Sequence, residues 1–202
     1  FSAIAHSNGA NEVRFLGRTY NPESLQSYAI SFAFLVIALI SPMLSSIADY
    51  SGQKKKFMYF FSTLGAISCS LLWFFEGADT LWVGISCSLF AAIGYAGSIV
   101  FYNAYLPEIA VAADQDRISA RGFSMGYIGS SLLLIFNLTM IMFPQWYGNI
   151  SSGFAMRFSF LLVGIWWFLF AQYSFQGLPK DPANSPIKRD ILKKGYRELR
   201  MV

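Results

Sequence analysis

Asp49, Gly52 and Lys54 stand at the spacing Asp-x-x-Gly-x-Lys inside SSIADYSGQKKKFMYFF, residues 45–61, between two long apolar runs. Their chemistry is ion pairing and chain reversal. A carboxylate at a helix start accepts free amide protons, so Asp49 is expected to cap the helix that follows. Glycine takes a left-handed backbone without a Cβ penalty, which places Gly52 at the turn. Lys54, Lys55 and Lys56 can pair with Asp49 or with other loop acids, or simply hold the turn in water. A second set is uncharged and polar: Tyr95, Tyr102 and Asn137 within apolar runs, and Asn103 just past one. An amide in lipid seeks a partner on a neighbouring helix, so Asn137 is expected to point inward. It reads first as glue between helices and second as a solute ligand, and Gln172 reads the same way.

Catalytic constellations are missing from the sequence. There is no His-Glu-x-x-His, no Gly-x-Ser-x-Gly and no Gly-x-x-x-x-Gly-Lys. The single histidine, His6, falls in a leading polar segment. Cys69 and Cys87 lie in separate apolar runs, which suits buried inert thiols rather than a disulfide framework or a metal motif. The expectation is a non-enzyme without cofactor or metal.

The elements that position these residues follow from composition. Only 13% of the 202 residues are charged, against 55% apolar and 18% aromatic. Soluble domains carry about 25% charged residues, so the solvent for this chain is lipid. About 20 apolar residues cross a bilayer as a helix. Five segments qualify: 27–47, 57–75, 81–102, 122–143 and 154–175. Strands are excluded by run length, because barrel strands are short and alternate. The predicted fold class is all-α, a polytopic helical bundle over 27–175.

Charge orients the bundle. Lys54 to Lys56, Arg117, Arg121, and Lys180, Lys188, Arg189, Lys193, Lys194, Arg197 and Arg200 share one side, 12 of the 15 basic residues. The positive-inside rule makes that side cytoplasmic. Residues 1–26 then form an outer loop, and 176–202 a cytoplasmic basic linker. Arg157 lies near the outer surface, where it either snorkels to headgroups or contacts an anion. The start FSAIA reads like the tail of an apolar segment, so a preceding helix is expected. Asn149-Ile150-Ser151 is an outer-side glycosylation sequon, a pattern common by chance. A membrane-tethered tail of mixed charge fits anionic lipid better than nucleic acid.

Small residues mark helix faces. Gly84, Ser88, Ala91, Tyr95, Ser98 and Tyr102 recur every three or four residues and share a face. Such a stripe admits a close neighbour or lines a wet cavity; close packing is the simpler reading, and the two tyrosines favour the cavity. Ser31, Ala38, Ser41, Ser45 and Ala48 form a similar stripe, with Pro42 expected to bend that helix. Gly122, Gly126 and Gly129 form a third, expected to pack.

The turn resembles the loop 2–3 signature of the major facilitator superfamily, Gly-x-x-x-Asp-x-x-Gly-x-Lys/Arg. Asp49, Gly52 and Lys54 match, while Ser45 replaces the leading glycine and Tyr50 the usual basic residue. With GSIVFYNAYLPEIA (97–110) and RISARGFSMGYIGSSLLL (117–134), residues 27–175 look like the vacuole-effluxer branch, which holds autophagy-related vacuolar amino-acid permeases and bacterial relatives. The resemblance implies helices 2–6 of a twelve-helix transporter built from inverted repeats. It implies a cytoplasmic gate at Asp49, Gly52 and Lys54, which Arg117 and Arg121 can join. Candidate solute contacts are Tyr95, Tyr102, Asn103 and Asn137. The partners so implied are a small solute such as an amino acid, the bilayer, a first helix and a C-terminal half. The membrane would be the inner membrane of a bacterium or the vacuolar membrane of a eukaryote. The alternative reading is a membrane scaffold or assembly subunit that uses its stripes only to pack.

Overall fold

The computed structural model describes residues 12–179. The FSAIA start, His6 and the basic linker from Lys180 onward lie outside the described residues, as do the side chains of Ser45 and of Ile47 to Ser51, Asp49 among them. A short hairpin, β1 (Val13–Phe15) and β2 (Arg18–Tyr20), leads into five long helices. These are α1 (Pro22–Ser51), α2 (Lys54–Leu71), α3 (Leu81–Ile109), α4 (Gln115–Met142) and α5 (Ser152–Gly177). All five are long and apolar enough to cross a membrane, over stretches of 21 to 32 residues.

Local chemistry sets the helix ends. Asn21 caps α1, its side chain accepting from Glu23 N at 2.9 Å, and Pro22 takes the first helical position, where a missing N–H costs nothing. Ser151 caps α5 in the same way, accepting from Phe154 N at 3.2 Å. Pro42 does not interrupt α1. It cannot donate to the Ala38 carbonyl, but the Ser41 hydroxyl reaches that oxygen at 3.3 Å. Leu16 and Gly17, with φ of 48° and 80°, make the hairpin turn. Positive φ at both central positions matches the right-handed strand twist.

Hydrophobicity cannot drive helices together in lipid, so close van der Waals approach decides the packing. The helix order is α1 on α3, α3 on α2, α2 on α5, with α4 touching chiefly α5 at the edge. Gly94 of α3 sits on the backbone of α2, so that a Cβ there would lie 2.5 Å from Gly65 N and 2.7 Å from Phe61 O. Gly97 is covered by the Phe61 ring, and Gly65 by Trp167 of α5. Gly164 of α5 faces Ser70 and, for a Cβ, the Ala66 carbonyl at 2.6 Å. Two apolar cores result. Leu44, Met58, Phe61, Phe101, Tyr105 and Phe175 form one at the lysine-rich end. Val13, Leu25, Phe75 and Leu81 form the other, where the hairpin covers the opposite end.

Candidate functional site

The lysine-rich turn is assembled from only two linking residues. Gly52 ends α1 with φ 63°, the left-handed conformation expected of it. The expectation for Asp49 is corrected. Helix α1 runs on through Ser51 and takes Asp49 into its last turn, so the cap position of α2 belongs to Gln53, whose side chain makes no capping bond. Lys54, Lys55 and Lys56 therefore occupy the first turn of α2, where the helix dipole disfavours cations by roughly 0.3–1 kcal/mol each.

Acceptors from other helices offset that cost. Lys54 Nζ donates to Glu108 Oε1 at 2.7 Å and to the Ala104 carbonyl at 3.1 Å, both on α3. Its side chain is only 12% exposed, whereas that of Glu108 is 45% exposed. Lys55 Nζ donates to the Leu178 carbonyl just past α5, at 3.1 Å. One turn of α2 is thus tied to both helices packed against it. Arg117 pairs locally with Asp114 at 3.0 Å, and Arg121 is exposed.

At the opposite end, Arg157 of α5 pairs with Glu76, in the link after α2. The Arg157 guanidinium lies 5.3 Å from the centre of the Trp73 ring, a cation–π contact. Phe154 and Phe158 meet the same ring edge-on. Arg157 thus has a specific partner and a ring beneath it.

The solute-contact candidates divide. Tyr95, Tyr102 and Asn103 are exposed on α3. Tyr95 meets Trp167 edge-on at 6.3 Å. The Tyr102 hydroxyl would stand 2.7 Å from a Cβ at Gly122 of α4. Asn137 is 8% exposed, and its Oδ1 has no hydrogen-bond partner among the described residues. It lies fifteen positions along α4 from Gly122, roughly 22 Å at 1.5 Å per residue. Tyr102 and Asn137 therefore stand at different depths. Of the α4 glycines, Gly126 has nothing within 4 Å of a Cβ, and Gly129 meets only Trp166 Nε1 at 3.8 Å. On α3 the buried positions are Leu81, Gly84, Gly94, Gly97, Ser98, Phe101 and Tyr105, so the stripe is split: Gly84 and Ser98 are buried while Tyr95 and Tyr102 are exposed.

Sequence reasoning missed Glu108, Glu76 and Trp73. Glu108 had a visible signal, an acid closing a long apolar helix. The Glu76–Arg157 pair spans 81 residues of chain and had none.

The chain from residue 4 to residue 202 matches the family model described as vacuole effluxer Atg22 like. An uncharacterized MFS-type transporter, YxiO, of Bacillus subtilis (strain 168) is 35% identical over 144 residues, 71% of this chain and 33% of that protein. Autophagy-related protein 22-2 of Neosartorya fischeri is 27% identical over 84% of this chain and 38% of its own length. The namesake of Aspergillus oryzae is 23% identical over 94% of this chain and 42% of its own. The chain spans between a third and about two fifths of the length of these relatives. No solved structure gives a significant match.

Proposed function

Because the chain belongs to the vacuole effluxer Atg22-like family, we propose that the full-length protein is a secondary transporter that moves a small solute by alternating access. The observation that carries this reading is the 35% identity to an MFS-type transporter over 71% of the chain, in an integral membrane protein. In this reading α1 to α5 are helices 2–6 of twelve, with the lysine-rich end in the cytoplasm. The solute class is amino acids, and the family name supports export from a compartment. The membrane is vacuolar in a eukaryote and the inner membrane in a bacterium.

The gate is the turn of Asp49, Gly52 and Lys54, with Arg117 and Arg121 in the first two turns of α4, inside the helix rather than on the loop expected for them. Lys54 already holds two acceptors on α3. Partly exposed ion pairs are worth roughly 0–1 kcal/mol each, so exchanging a few of them with the other half gives a reversible latch. Tyr95, Tyr102 and Asn103 present polar groups on the open face of α3, and Asn137, nearer the opposite side, offers an acceptor that has no partner among the described residues.

Counterflow in proteoliposomes of the full-length protein tests the proposal. Saturable exchange of at least one amino acid is expected, and its absence across the whole set removes that solute class. Tyr95→Phe and Asn137→Ala are expected to change KM or flux at unchanged expression; altered assembly at unchanged flux would favour a scaffold.

A further inference from the structure

We infer that the tip of the β1–β2 hairpin is a contact for the bilayer surface, in which Leu16 enters the lipid and Arg18 binds the phosphate of a phospholipid headgroup. The depth of the hairpin is fixed from both sides. Tyr20 ends β2, Asn21 caps α1, and the apolar span begins at Pro22, so no linker separates the hairpin from the membrane. Val13 is 1% exposed and packs with Leu25, Phe75 and Leu81 near the ends of α1, α2 and α3. The hairpin is therefore held at headgroup level.

Register sorts its side chains. Val13 pairs with Tyr20, Arg14 with Thr19 and Phe15 with Arg18. Paired residues share a face, and successive residues alternate. Val13, Phe15, Arg18 and Tyr20 thus stand on the face turned to the helix ends, and Arg14 and Thr19 on the other. Toward the bundle is toward the bilayer, so Arg18 faces the membrane and Arg14 faces water. Burial on the membrane-ward face fades toward the turn: Val13 is buried, Phe15 and Tyr20 are half-buried, and Arg18 is exposed. Neither arginine has an ion pair or a side-chain hydrogen bond among the described residues. Leu16 supplies the apolar part. It is 88% exposed, and its φ of 48° is a left-handed conformation that such a turn ordinarily gives to Asn, Asp or Gly. Backbone strain of this kind persists where a side chain is needed at a set place. A guanidinium meets phosphate through two parallel hydrogen bonds. An apolar tip beside a membrane-facing arginine matches the level where phosphate gives way to acyl chain. A protein partner is a poorer fit, because a stable interface takes about 20–30 residues a side. A free anion would leave Leu16 without a role. The assignment depends neither on the transported solute nor on which membrane surface carries the hairpin.

Full-length protein in phosphatidylcholine nanodiscs, with a nitroxide on Leu16→Cys as its one reactive thiol, reads the contact. Collision with oxygen, which enters lipid, is expected to dominate there. Collision with a nickel chelate, which stays in water, should dominate for a nitroxide on Thr19→Cys. Arg18→Gln should lower the ratio of inserted to free label at Leu16→Cys about fivefold, and Arg14→Gln should leave it unchanged. A Thr19→Cys spectrum unaltered by Arg18→Gln establishes that the hairpin is intact, so that the loss reports the contact. In nanodiscs of a galactolipid, which has no phosphate, Arg18→Gln should lose its effect. Nickel exposure at Leu16→Cys equal to that at Thr19→Cys overturns the assignment. Equal losses in Arg18→Gln and Arg14→Gln overturn it too, because only diffuse charge would be acting. An Arg18→Gln effect that persists in galactolipid removes the phosphate. Shielding of Leu16→Cys from both reagents means that the rest of the polypeptide covers the tip, and overturns the contact with lipid.

Discussion

Lys54 is a largely covered cation that reaches two acceptors on α3, one charged and one a main-chain carbonyl. Its removal leaves Glu108 in water but strands no buried charge, because that carboxylate is half-exposed. A double-mutant cycle of Lys54→Ala and Glu108→Ala, read by thermal unfolding in detergent, should return a coupling of about 0.5–1 kcal/mol. A coupling of zero would show that the pair does not form in the intact protein. At the other end Arg157 has two kinds of partner, an ion and a ring. Arg157→Lys keeps the charge but gives up the planar guanidinium that stacks on Trp73. Its unfolding midpoint should fall between those of the wild type and Arg157→Gln. Neither pairing was legible in the sequence. Lys54 and Glu108 are separated by 54 residues, Arg157 and Glu76 by 81, and only the packing of α2 against α3 and α5 brings them together.

Helices were legible as apolar runs, but their ends were not. The apolar run 81–102 is part of a helix that continues to Ile109, and most of the run 122–143 lies in a helix that begins at Gln115. Hydropathy measures what lipid tolerates, whereas a helix continues into water as long as its backbone is satisfied. The hairpin was missed for a related reason. Its alternation, Val13-Arg14-Phe15 then Arg18-Thr19-Tyr20 about Leu16-Gly17, is too short to register against long apolar runs. Which glycines pack was equally hidden, since small-residue spacing recurs on several helices. Gly94→Ala would drive a methyl group into the α2 backbone, which cannot move aside as a side chain can. A loss of about 1–3 kcal/mol is expected from such overpacking, seen as reduced folded yield. Gly126→Ala meets open space and should be neutral or gain up to about 1 kcal/mol from helix propensity. A marked loss at Gly126 in the full-length protein would reveal a helix from the remaining sequence lying on that face, the packing role proposed for Gly122, Gly126 and Gly129.

Across the molecule, burial is uneven. Large apolar side chains are exposed on every helix, and only 11% of the apolar window of α4 is buried. In the proposed full-length transporter, lipid and further helices share those surfaces. Cysteine accessibility separates the two. In the full-length protein with Cys69 and Cys87 replaced, Tyr102→Cys should react with a charged, water-soluble thiol reagent if α3 lines an aqueous path. Protection there, with reaction at Asp116→Cys, would place the tyrosine in lipid. The same background tests sidedness. In intact cells an impermeant reagent should modify Asp79→Cys at one surface and spare Asp116→Cys until the membrane is opened. The reverse pattern would invert the orientation proposed for the gate.

Helix α1 is joined to α2 by Gly52 and Gln53 alone, yet it settles chiefly against α3. Its resting place is made of polypeptide that does not yet exist when α1 leaves the ribosome. At about 5–20 residues per second, the 58 residues from Ser51 to Ile109 take roughly 3–12 s to synthesise. Through that interval α1 stands without its neighbour, and the insertion machinery or an early lipid has to shelter it. Substitutions on its inner face would then show first as lost yield during biogenesis, before any defect in the finished protein.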